Sequence, residues 1–160
     1  MLTRHCVSMQ VPQMRKKIPI EILYEDQWIV AINKLPRIGS VPAPELPLPA
    51  TMLGKVQRYF APAGLTPYVL HRLDYATSGV LLFGKHQQNR QDLEGIFGDE
   101  RTEKKYVALV KGMPRPKGII SKKLPARTHN ILVEAQTRYA LLRVFPGKIA
   151  SLVEAFISTG

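Results

Sequence analysis

Short apolar runs, each closed by a turn within a few residues, recur along this chain and limit its fold more than any other feature. Ile20, Ile22 and Tyr24 alternate with Glu21 and Leu23, Glu25-Asp26 forms a turn, and Trp28 to Ile32 is continuously apolar. This pattern predicts two short strands joined by a tight turn. Residues 104–111 alternate as a strand, with Tyr106, Ala108 and Val110 on one face and Val107 and Leu109 on the other. Residues 137–145 and 151–157 read as a hairpin with Pro146-Gly147 in its turn. Two helices are expected. One starts after Thr51 as N-cap and runs to about Phe60, with Met52, Val56 and Tyr59 inward. The other runs from about His86 to Phe97, with Leu93, Ile96 and Phe97 inward and Gly98 closing it. Ahead of the first helix, Pro42, Pro44, Pro47 and Pro49 lack backbone donors and exclude regular structure from 41–50. Strands outnumber helices and the turns are tight. The expected class is therefore α+β, with a mixed, mainly antiparallel sheet and flanking helices.

Composition restricts the partners. Hydrophobic residues make up 45% of the 160, enough for a core. No apolar stretch approaches the length of a membrane span, and no long apolar run follows the basic N-terminus as in a secretory signal. With Cys6 as the only cysteine, an intrachain disulfide is excluded and a cytoplasmic setting is expected. The net charge is +11 and is gathered in two segments. Residues 1–17 carry four bases and no acid, and read as a basic flexible tail. Residues 101–128 carry nine bases against Glu103. Charge gathered in this way marks a contact surface for a polyanion, whereas solubility requires only scatter. His5 and His129 lack nearby ligand partners, so no metal site is expected.

One segment concentrates reactive groups. Val69 to Phe83 joins two apolar runs, the second of which, Val80 to Phe83, reads as a strand buried on both faces. Between the runs lie His71, Arg72 and Asp74, then a Thr77-Ser78-Gly79 turn. Arg72 can hold the Asp74 carboxylate ionised, and an oriented carboxylate can serve as nucleophile or base. An Asp–Arg brace across a turn would use the same residues. His71 suits a structural hydrogen bond better than base chemistry. Ser78 lacks the Gly-x-Ser-x-Gly setting of a hydrolase nucleophile.

The stretch His71-Arg72-Leu73-Asp74-x-x-Thr77-Ser78-Gly79, followed by an apolar strand and Lys85, resembles the catalytic motif of the RluA-type pseudouridine synthases. Three further stretches agree in order and spacing, so the resemblance covers about residues 20–160. They are Ile22 to Asp26 with Val30 to Pro36, Lys104 to Gly112, and Thr137 to Leu142 leading to Ser158-Thr159-Gly160. The resemblance implies that Asp74 is the catalytic aspartate, acting by attack on the target nucleotide or by deprotonation there. It implies that Arg72 helps turn the target base out of its stack and that Tyr106 packs against the uracil. Lys34 falls in the Asn-Lys loop that lines the site, so it is carried over as a substrate-binding residue. No metal or cofactor is implied, and the partner is RNA, ribosomal or transfer. The reaction breaks a C1′–N1 bond, turns the base and rejoins it through C5, which needs an extruded base.

The sequence departs from the family pattern in two places. Leu35 stands where proline is usual in the Asn-Lys loop. The family's Arg-Thr-His-Gln would follow Gly160, so a shortened member is expected, with residues 18–160 forming a partial catalytic domain. Two functions follow: an RNA pseudouridine synthase, or a truncated, catalytically inactive RNA-binding relative.

Overall fold

The computed structural model describes residues 20–99, 101–125 and 132–157. The expected 1–17 tail, the Ser158 to Gly160 end, part of the basic segment (126–128) and the Phe97 side chain lie outside the described residues. The chain divides into two compact units, 1–93 and 94–160.

The first unit is built on a four-stranded sheet. Strands β1 (Ile22–Glu25) and β2 (Ile29–Lys34) flank the Glu25-Asp26 turn as the sequence predicts. Asp26 fixes that turn: its carboxylate accepts from the backbone amides of Trp28, at 2.7 Å, and Ile29, at 2.8 Å. Strands β3 (Tyr68–Val69) and β4 (Gly79–Gly84) complete the order β1-β2-β4-β3, and every pairing is antiparallel. In the β2–β4 ladder Val30 faces Phe83, Ile32 faces Leu81 and Lys34 faces Gly79, so these six residues share one face of the sheet. Helix α1 (Met52–Phe60) begins at Thr51, whose hydroxyl accepts from the Gly54 amide. It buries Met52, Val56 and Phe60, spaced four apart on one stripe. Tyr59, expected inward, is exposed, because the stripe runs through Phe60 instead. Ile38 and Leu73 join this core.

Strand β4 departs from the expectation of burial on both faces. Leu81 and Phe83 are fully buried, but Val80 is 52% exposed. Its neighbour Leu81 alternates onto the core side, as the two-residue period of a strand requires. Gly84 ends β4 beneath the Tyr68 ring, and a Cβ there would collide with ring atoms of that buried tyrosine. Gly84→Ala is therefore expected to destabilise the protein by about 1–3 kcal/mol as overpacking. A urea midpoint equal to wild type would contradict that close approach.

Helix α2 (Arg90–Gly98) follows a short 3-10 turn, and Gly98 is its last residue as predicted. Leu93 is half-buried, but Ile96 is exposed, so the expected inward stripe is not continuous.

The second unit is a four-stranded antiparallel sheet. Its strands are β5 (Lys104–Lys111), β6 (Lys117–Pro125), β7 (Leu132–Val144) and β8 (Ala150–Ile157), in the order β5-β8-β7-β6. The β7–β8 hairpin turns at Pro146-Gly147, where Gly147 has φ 72°, in the left-handed region open to glycine. Tyr106, Ala108 and Val110 share the half-buried face of β5, and Val107 and Leu109 the exposed one. Strand β6 is the element the sequence did not reveal. The strands thus form two sheets rather than one, and all ladders among the described residues are antiparallel. The α+β class with mainly antiparallel pairing holds.

Candidate active site

The segment from His71 to Ser78 leaves β3 and returns to β4 as an irregular loop. Its start is tied to β4: the Leu70 amide donates to the Leu82 carbonyl at 3.0 Å, and the Leu82 amide donates to His71 Nε2 at 3.2 Å. The His71 ring therefore acts here as a side-chain acceptor for a backbone amide and fixes the start of the loop, in keeping with its structural reading.

Beyond that start, alternate carbonyl oxygens are held by Lys34, the last residue of β2, and by the segment that follows it. The Ser40 hydroxyl donates to the Leu73 carbonyl at 2.6 Å. The Arg37 amide donates to the Tyr75 carbonyl at 2.7 Å. Lys34 Nζ donates to the Thr77 carbonyl at 2.6 Å and to the Leu35 carbonyl at 3.2 Å. The Thr77 amide closes a turn on the Asp74 carbonyl at 3.0 Å. Arg37 adopts φ 62°, a left-handed conformation that costs a non-glycine residue about 1 kcal/mol, and its amide makes the central contact. Leu73 turns into the core, whereas the Arg72 and Asp74 side chains are exposed. The loop is thus fixed through its backbone while its charged side chains stand in solvent.

Lys34 lies beneath this loop with none of its surface exposed. Lysines are almost never buried so completely unless paired. Burial pushes its pKa down from the ordinary lysine value, and the nearby negative charge of Asp74 opposes that shift. The geometry places Lys34 inside the protein, under the Asp74 loop.

The sign of the Lys34 shift has a consequence. In the unfolded chain Lys34 titrates at the ordinary lysine value, and in the folded protein below it. At lower pH both states hold the proton and the cost of burying the charge is present in full. As pH rises through the folded value towards the unfolded one, only the unfolded state keeps the proton, so stability rises. Wild type is expected to gain stability relative to Lys34→Met over that alkaline window. Urea midpoints of both proteins at a series of pH values measure this, and a pH-independent difference would contradict it.

Tyr106 belongs to the second unit, on β5, where it lies opposite Ala155 of β8 and is half-buried. In the same unit the guanidinium of Arg138 and the ammonium of Lys105 lie over the Phe156 ring, 5.1 and 5.4 Å from its centroid. Arg138 also pairs with Glu103 at 3.1 Å. Exposed Lys117, Lys122 and Lys123 line β6. Among the described residues no group of three His, Cys, Asp or Glu side chains is arranged to hold a metal ion.

Sequence reasoning did not identify Ser40 or the Arg37 amide. Ser40 follows a buried Ile38 and Gly39, an unusual place for a polar side chain. That burial is a tertiary feature, so the sequence carried no local signal for Ser40.

A fold of antiparallel sheets carrying an exposed Arg-x-Asp loop on a buried lysine defines a class, and residues 30–160 match the sequence model of RNA pseudouridylate synthase. The chain belongs to that family, on its RluA-type branch. It is 34% identical over 112 residues to the ribosomal large subunit pseudouridine synthase D of Borreliella burgdorferi, covering 66% of this chain and 34% of that protein. It is 34% identical over 95 residues to the dual-specificity RNA pseudouridine synthase RluA of Escherichia coli, covering 59% of this chain and 42% of that protein. The solved structure of human RNA pseudouridylate synthase domain containing 4 shares the fold, with a TM-score of 0.69 at 21% identity over 88% of this chain and 59% of that one. The chain spans between 32% and 58% of the lengths of eight curated relatives it matches. No described helix is long and apolar enough to cross a membrane.

Proposed function

We propose that this chain is catalytic-domain sequence of an RNA pseudouridine synthase that isomerises uridine in structured ribosomal or transfer RNA, in the cytoplasm, with Asp74 as the catalytic carboxylate. On this reading residues 18–160 act as one catalytic domain behind a basic 1–17 tail. The observation that carries the proposal is the exposed Asp74 side chain on a loop whose backbone is pinned from beneath. A catalytic group needs to meet its substrate and also to keep its position, and this arrangement supports both.

The chemistry requires no co-reactant. Uridine and pseudouridine are isomers: the C1′–N1 bond breaks, C1′–C5 forms, C5 gives up a proton and N1 gains one. Asp74 engages the extruded nucleotide as nucleophile or base. Arg72, two residues away on the same exposed loop, occupies the space left by the base or pairs with the flanking phosphate. Tyr106 packs on the uracil. Extruding a base costs least in RNA loops, where stacking is already incomplete. Lys34 keeps the loop in position.

Incubating the protein, with any contiguous coding sequence, with ribosomal and transfer RNA and mapping pseudouridine by carbodiimide and primer extension tests this reading. Site-specific product supports it. RNA binding without product in either RNA class overturns it in favour of the inactive RNA-binding relative. The lysines of β6 suit phosphate contact by counterion release. Lys122→Ala with Lys123→Ala is expected to reduce the slope of log binding constant against log salt by about one to two. An unchanged slope would remove β6 from the interface.

A further inference from the structure

Ser40 makes an unusual pair of contacts. It is 3% exposed, and its hydroxyl is bonded in both directions to one residue, donating to the Leu73 carbonyl at 2.6 Å and accepting from the Leu73 amide at 3.0 Å. Leu73 is itself buried, at 6% exposure, and immediately precedes Asp74. Its backbone groups lie in an irregular segment, outside the sheet ladders that would otherwise pair them. A single hydroxyl thus satisfies two buried polar groups. Without it both are left in a low-dielectric interior, where unpaired groups are penalised most.

The geometry matters beyond stability. The Tyr75 and Thr77 carbonyls are held on the far side of Asp74 by the Arg37 amide and by Lys34. On the near side, Ser40 holds the adjoining residue. Asp74 is therefore fixed from both directions along the chain, and Ser40 holds the residue immediately before it. Removing this contact frees the rotation of the peptide that joins residues 73 and 74, and that rotation swings the carboxylate.

We propose that Ser40 is a positioning residue for Asp74: its bidirectional bond to Leu73 sets the direction of the catalytic carboxylate. The inference rests on the reading of Asp74 as the catalytic group. Ser40 does not touch the substrate; it acts through Leu73. Its loss should lower turnover and leave the affinity for RNA unchanged, because the RNA-facing side chains remain present.

Two measurements on Ser40→Ala test this. In steady-state isomerisation, kcat is expected to fall about 10- to 100-fold with KM within about twofold, the scale set by small misplacements of a reacting group. In amide hydrogen exchange, the Leu73 amide should lose protection while those of Leu81 and Phe83, in β4, keep theirs. If Ser40→Ala fails to fold, Ser40→Cys, similar in volume and a weak donor, carries the same comparison. An active wild type together with a folded Ser40 variant of unchanged kcat overturns the positioning role alone. A fall in kcat matched by equal loss of protection throughout β4 overturns it too, since the effect would then be general loosening. Absence of product from wild type overturns the catalytic reading itself and removes this proposal with it.

Discussion

Asp74→Asn is expected to leave RNA affinity within about threefold of wild type and to reduce pseudouridine formation by on the order of 10⁴-fold. Asparagine matches aspartate in size and is accommodated at an exposed position, so stability should change by no more than about 0.5 kcal/mol. What is lost is the negative charge and the basic oxygen, and neither nucleophilic attack nor proton removal survives that change. Carbodiimide mapping of the product and filter binding of the same RNA separate chemistry from recognition. Persistent product in the mutant would refute the role of Asp74, and loss of binding would give it a recognition role in place of a chemical one.

The second large effect concerns the platform beneath that loop. Phe83 has no exposed surface, faces Val30 across the β2–β4 ladder and shares its face with Leu81 and Ile32. Phe83→Ala removes most of an aromatic side chain from a packed interior and is expected to cost about 3–5 kcal/mol. A domain of this size is stable by only about 5–15 kcal/mol in total, so a substantial unfolded fraction at 37 °C follows. Val80→Ala, three residues earlier and on the exposed face, should cost far less. Calorimetric or urea unfolding of the pair provides the comparison, and equal losses would contradict the division of β4 into an inner and an outer face.

Much of the architecture was legible because local chemistry and global packing agree at these positions. The Glu25-Asp26 turn, the Thr51 cap, the alternation of 104–111 and the Pro146-Gly147 turn each carry a local signal strong enough to be read from neighbouring residues. Where tertiary context decides, the sequence misleads. Val80 to Phe83 reads as continuously apolar, yet only alternate members enter the core. Tyr59 and Phe60 are adjacent aromatics, and the four-residue spacing from Met52 and Val56 selects the second. Strand β6 shows no alternation because Lys117 to Pro125 lies at a sheet edge, largely exposed on both faces. Its lysines and proline are typical of such edges, where they discourage pairing with other chains.

The candidate site divides in the same way. Asp74 and Arg72 stand out as charged residues between apolar runs. Lys34 was legible as part of the site, but its burial was not, since nothing near it in sequence reveals that Thr77, 43 residues away, supplies its acceptor. The Ser40–Leu73 contact spans 33 residues and uses backbone atoms that every residue possesses, so composition cannot disclose it.

The attachment of the loop through its oxygens at 73, 75 and 77 separates holding from doing. Since the fastening at these three positions is made by the main chain, the side chains of Tyr75 and Thr77 can be rewritten by mutation without cutting the stitches. Position 72 can likewise change identity without slackening the thread. A protein organised in this manner can drift in what it recognises while the Asp74 carboxylate stays where it was.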